Sequence, residues 1–99
     1  MKKRKQMKRT KVETSENWND SISDQIAVVY EVDVLKDGER SVFGRISKNG
    51  LIVGSCSGKS PVRSTSVSID QDADLTNEER VLIGGKCVEG LLHIFDQKE

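Results

Sequence analysis

The stretch Ile26–Ser47, IAVVYEVDVLKDGERSVFGRIS, decides how the rest of this 99-residue chain is read. Ile26 to Leu35 is rich in β-branched residues that alternate with period two, which predicts a strand. Its apolar face is Ile26, Val28, Tyr30, Val32 and Val34. Lys36-Asp37-Gly38 carries turn chemistry. Arg40 to Ser47 then returns with Val42, Gly44 and Ile46 on one side. The register follows from these faces. A two-residue Asp37-Gly38 loop would set Val32 opposite Phe43 and leave Val42 and Ile46 on the polar side. A three-residue loop, with Gly38 left-handed as a bulge, pairs Val32 with Val42, Tyr30 with Gly44 and Val28 with Ile46. A slip of one residue exchanges the faces, so only the second register keeps the apolar set together. Tyr30 then lies across the gap at Gly44.

Beyond the hairpin, Lys48-Asn49-Gly50 repeats the turn chemistry and suits either a two-residue type I′ loop or a bulged one. Leu51 to Cys56 reads as a third strand, Ser57 to Pro61 as a loop, and Val62 to Ile69 as a weaker fourth strand. Thr65, Val67 and Ile69 form the better core face of that last strand. Asp70 to Asp74 is an acidic connector.

Thr76 to Gln97 predicts one long amphipathic helix. Thr76-Asn77-Glu78-Glu79 fits a capping box, and the two glutamates suit the positive end of the helix dipole. At ~100° per residue, Val81, Gly85, Val88, Leu92 and Phe95 fall on one line, which is expected to face the sheet. Gly84, Gly85 and Gly90 each weaken a helix by roughly 1 kcal/mol relative to Ala, so close approach to another element is expected there. Ile83, Cys87, Ile94 and Leu82 remain without an obvious burial site. The apolar sector covers about half the cylinder, wide enough to engage a second copy of the chain.

These readings give an α+β fold: a four-stranded antiparallel β-meander followed by one C-terminal helix packed on one face (ββββα), over residues 26–97. Residues 1–25 read as a basic, largely disordered N-terminal arm and linker, with Trp18 partly exposed. The ββββα order is similar to that of several single-stranded nucleic-acid binders, the Whirly and PUR groups among them. The similarity is one of topology and carries over no motif residue.

Charge is unevenly placed. Sixteen Lys/Arg balance sixteen Asp/Glu, yet Lys2, Lys3, Arg4, Lys5, Lys8, Arg9 and Lys11 have no acid among them. The remainder is therefore acidic, with nine bases against sixteen acids. A cluster of this density attracts a phosphate backbone in a salt-dependent way. On the outer sheet face Phe43 and Arg45, with Arg63 nearby, offer a stacking ring and positive charge to DNA or RNA, single- or double-stranded.

Other strings fail on spacing. Gly54-Ser55-Cys56-Ser57-Gly58-Lys59-Ser60 resembles a phosphate loop but has three residues between its glycines where four are needed, and no helix follows. Asp70, Asp72 and Asp74 begin like a calcium loop, but Leu75 and Val81 stand where Gly and Glu are required. His93 is the sole histidine, placed one turn from Glu89 as an exposed ion pair. Cys56 and Cys87 lack zinc-site spacing and read as reduced, buried thiols of an intracellular protein. No metal, cofactor or enzyme chemistry is expected. The basic start lacks a following apolar run, so no signal peptide or membrane span is expected, and the expected location is cytoplasmic. The leading expectation is a small nucleic-acid-binding protein. The other is a homodimeric interaction or regulatory module, joined through the C-terminal helix or an edge strand.

Overall fold

The computed structural model describes residues 12–35 and 37–97. Five strands form one antiparallel sheet in sequential order, followed by a helix on one face. The strands are β1 (Val12–Ser21), β2 (Ile26–Leu35), β3 (Arg40–Lys48), β4 (Leu51–Ser60) and β5 (Ser64–Ile69), and the helix is α1 (Asn77–Phe95). The architecture is α+β, with one strand more than expected.

The central hairpin takes the bulged register. Val28 pairs with Ile46, Tyr30 with Gly44 and Val32 with Val42, and Gly38 sits at φ 89°. The next turn is the two-residue form, because Lys48 pairs with Leu51 and Asn49 and Gly50 both have positive φ. The extra residue appears instead as a bulge in β4, between Ile46↔Gly54 and Ser47↔Ile52, which tucks Val53 into the core.

Two stretches expected to be irregular are strands. Val12–Ser21, read as linker, pairs along β2 as β1, with Trp18 opposite Tyr30 and Glu16 opposite Val32. The chain reverses between them at Ser23, whose hydroxyl accepts from the amides of Gln25 and Ile26. Asn, Asp, Ser and Glu favour strands poorly; β1 is held by its ladder to β2 and by Trp18, which packs against the core. Likewise Ser57–Ser60 is not a loop but the second half of β4, with Gly58 lying between Val42 and Thr65.

Glycines in β4 and α1 set how closely the helix descends. A methyl at Gly58 would stand 2.8 Å from the Phe95 ring, and one at Gly90 would collide with the Tyr30 hydroxyl. Gly84 and Gly85 have open space around them, so close packing does not account for either.

The helix is also turned from its expected phase. Its buried residues are Ile83, Cys87, Leu91, Ile94 and Phe95, whereas Val81 is 77% exposed. A sector covering half the cylinder fixes the period of a helix but not its angle. The angle comes from what the inward residues meet, Cys87 against Cys56 and Phe95 over Gly58.

Both helix ends are tied down. Thr76 and Glu79 form the expected capping box. Lys48 Nζ, from β3, reaches both the Glu79 carboxylate and the Asp74 carbonyl at 3.1 Å. The Thr76 amide and Lys48 hold the Glu79 carboxyl below its ordinary range. At the other end the Arg40 guanidinium donates to the Ile94 carbonyl at 2.7 Å, supplying positive charge where the helix dipole is negative.

Among the described residues, Tyr30 carries the buried polar group with the poorest hydrogen bonding. Its hydroxyl is buried with the Cys87 thiol beside it and no well-formed hydrogen bond, and a buried unsatisfied hydroxyl costs about 1–3 kcal/mol. Tyr30→Phe should therefore stabilise the fold, by about 1 kcal/mol, seen as a higher urea midpoint at unchanged slope. A lower midpoint would show that the hydroxyl is bonded in solution.

Candidate nucleic-acid interface

The register that buries Val42 and Ile46 necessarily turns Phe43 and Arg45 outward. Phe43 is 42% exposed, and the Arg45 guanidinium carbon lies 5.3 Å from its ring centroid. That distance is within cation–π range, so each side chain limits the motion of the other.

Around this pair the outer face is ordered in rows. One row runs Asn17, Glu31, Phe43, Ser57, Ser66; the next runs Asn19, Val29, Arg45, Ser55, Ser68. A third runs Ser15, Asp33, Ser41, Lys59, Ser64. The face therefore divides. Its β1–β2 half carries Glu31 and Asp33, the latter accepting from the Ser15 hydroxyl at 2.9 Å. Its β3–β5 half carries Arg45, Lys59, Phe43 and a field of serine hydroxyls, and the acids of these rows, Glu31 and Asp33, all stand on β2.

Such a surface offers a ring for stacking, two cations and hydroxyls that both donate and accept. Lys59 was not singled out from the sequence, because Ser57–Pro61 was read as loop and the row it shares with Ser41 was invisible.

The remaining candidates fall elsewhere. Arg63 sits in the β4–β5 turn at φ 58° and donates to the Asp96 carboxylate at 2.8 Å, holding that carboxyl below its ordinary range. This bond draws its side chain toward the helix end, away from Phe43 and Arg45. Lys2, Lys3, Arg4, Lys5, Lys8, Arg9 and Lys11 lie outside the described residues.

On the opposite face, among the described residues, a recess lies on either side of Trp18, between the helix and β1–β2. One, about 240 Å³, is lined by Trp18, Asp20, Tyr30 and His93 among others. The other, about 210 Å³, is lined by Glu16, Arg40 and Gln97 among others. His93 does not pair with Glu89: its ring packs edge-on to Trp18 at 6.1 Å, and Glu89 meets Lys86 at 3.6 Å. Burial pushes the Tyr30 phenol above its usual range, reinforced by the nearby thiols and Asp20.

Cys56 and Cys87 are both free and buried, and their side chains are hydrogen-bonded to one another. That bond, with burial, raises Cys87 and keeps its thiol neutral. In the acidic connector, the carbonyls of Asp70, Gln71 and Ala73 are each taken by Arg80 at 3.1 Å, leaving that turn organised by an internal cation. Among the described residues, no group of three or more His, Cys, Asp or Glu is placed to hold a metal, and no helix is long and apolar enough to cross a membrane.

The fifth strand departs from the ββββα order on which the topological similarity to single-strand binders rests. Compared with family models, curated proteins and solved structures, the chain matches none of them.

Proposed function

We propose that this is a small, non-enzymatic nucleic-acid-binding protein that takes single strands on the β3–β5 half of its outer sheet face. The observation that carries this reading is the exposed Phe43–Arg45 pair, 5.3 Å apart, set among the serine hydroxyls of β3–β5, with Glu31 beside Phe43 on the β2 side. A base stacks on Phe43, Arg45 and Lys59 meet phosphates, and the serines bond to sugar and base edges. Single strands suit a flat sheet because their bases can splay onto it, whereas a duplex keeps its bases inside grooves a sheet face cannot enter. The basic arm adds attraction that does not depend on sequence or strandedness.

The test is a fluorescence-anisotropy titration of the full chain with labelled single-stranded DNA, single-stranded RNA and duplex DNA at low and moderate salt. Phe43→Ala should weaken single-strand binding by about 5- to 150-fold, the equivalent of ~1–3 kcal/mol for one stacked base. Duplex binding should change far less. Because the Phe43 ring is exposed, the helical circular dichroism should be unaltered. No binding at low salt, or equal single-strand binding by the variant, would overturn the reading.

A further inference from the structure

The two edges of the sheet are built differently. β1 carries Glu16 and Asp20, charges of the kind that discourage an edge from pairing with another chain. β5 contains no charged residue and no proline.

The open side of β5 presents a defined set of backbone groups. The Asp70 amide donates to the Val53 carbonyl at 2.9 Å, and pairing runs without a shift from Gly54↔Ile69 to Lys59↔Ser64. Along an antiparallel strand, backbone groups point alternately to one neighbour and the other. Ser64, Ser66 and Ser68 therefore bond to β4, in step with Asp70. Thr65, Val67 and Ile69 turn their N–H and C=O outward. The same three side chains lie on the helix-bearing face, only half-buried.

We propose that β5 pairs with β5 of a second copy of the chain, antiparallel about a two-fold axis through Val67, making one continuous ten-stranded sheet from two five-stranded ones. In this register Val67 meets Val67 and Thr65 meets Ile69, so every outward donor faces an outward acceptor. Side chains of like face are also opposite one another. A slip of one residue sets helix-face residues against outer-face serines, which the pleat forbids. Setting Thr65 against Val67 instead brings Arg63, a turn residue at φ 58°, opposite Ile69.

The chosen register also matches charge. Arg63 of each copy, which is bonded to Asp96 within its own chain, falls opposite Gln71 of the other, so the guanidinium of each edge lies near Asp70 and Asp72 of its mate and no two like charges are set opposite each other. A single strand pair is a small interface, and such contacts are weak; the dimer should depend on concentration. The pairing holds whatever the outer face binds.

Light scattering on the full chain gives the mass between micromolar and millimolar concentration, and amide hydrogen exchange reports which edge is covered. The expected result is a rise from 11.0 kDa toward twice that value. Protection at Thr65, Val67 and Ile69 should increase in parallel. Val67→Pro removes an N–H that the β4 ladder does not use, and proline is tolerated at such edge positions. It should hold the mass at that of one chain while keeping the helical spectrum. Should that variant not fold, Thr65→Lys should give the same monomer by placing a charge at the seam. A constant single-chain mass overturns the proposal and leaves the edge for a strand of another protein. A dimer in which those three amides exchange at the same rate at every concentration overturns it as well.

Discussion

Replacing the seven basic residues of the first eleven with glutamine will remove most of the salt dependence of nucleic-acid binding. Each neutralised phosphate on a single strand releases counterions that contribute about 0.7 to the slope of log affinity against log salt. With the whole arm engaged, the intact chain's affinity should fall about a thousandfold between ~50 and ~200 mM salt from the arm charges alone. The glutamine variant keeps only Arg45 and Lys59 on the outer face, and its affinity should fall by roughly sevenfold over the same interval. The absolute loss at low salt should be larger still, because what remains carries nine bases against sixteen acids and repels phosphate at long range. Anisotropy titrations at four or more salt concentrations measure both slopes. Equal slopes would mean that the arm does not touch the nucleic acid. Every residue of the described sheet and helix is kept in the variant, so thermal unfolding should be the same in both proteins.

Leu91→Ala should destabilise the fold by about 2–5 kcal/mol, a large share of the ~5–15 kcal/mol that holds a domain together. Leu91 is fully buried on the inward line of α1, and its removal leaves a cavity between helix and sheet that the rigid strands cannot close. Val81→Ala, at a position 77% exposed, should change stability by no more than about 0.5 kcal/mol. Urea unfolding at low chain concentration compares the two. The pair separates two orientations of one helix, because the periodicity of the sequence puts Val81 inward and leaves Leu91 at the flank. Comparable losses at both positions would mean that the helix is rotated from the angle described.

The central hairpin and the start of the helix were legible because several local signals converged on them. In the Ile26–Ser47 hairpin the alternation of side chains, the turn residues and the left-handed Gly38 agree on one register. At Thr76 the capping box needs only four consecutive residues. What was not legible depended on partners distant in sequence. β1 contains one large apolar residue, Trp18, and its strand character comes from the ladder to β2 and not from its own composition. The helix angle depends on Cys56 and Gly58, which lie about thirty residues upstream, so no reading of the helix alone could supply it. Arg63 looked available because its acceptor, Asp96, follows thirty-three residues later. Phe43 and Arg45 were placed correctly on the outer face because their orientation follows from the hairpin register. The serine and lysine rows beside them required the full length of β4, which its glycines disguised as loop.

That β1 is a strand also determines where the arm is attached. Val12 pairs with Leu35, so the point from which the arm continues lies beside the β2–β3 turn, at the end where Ser41 pairs with Lys59. Eleven residues extend at most ~40 Å, while five strands spaced ~4.8 Å apart span only ~19 Å. A fully extended segment of that length exceeds the width of the sheet, and its point of attachment is one corner. Under the proposed function, a strand resting on Phe43 would meet those seven cations at a local concentration set by tether length, not by the amount of protein in solution. Two contacts, each weak alone, then release only when both let go within the same interval. Shortening the tether below the width of the sheet would uncouple them without removing a single charge.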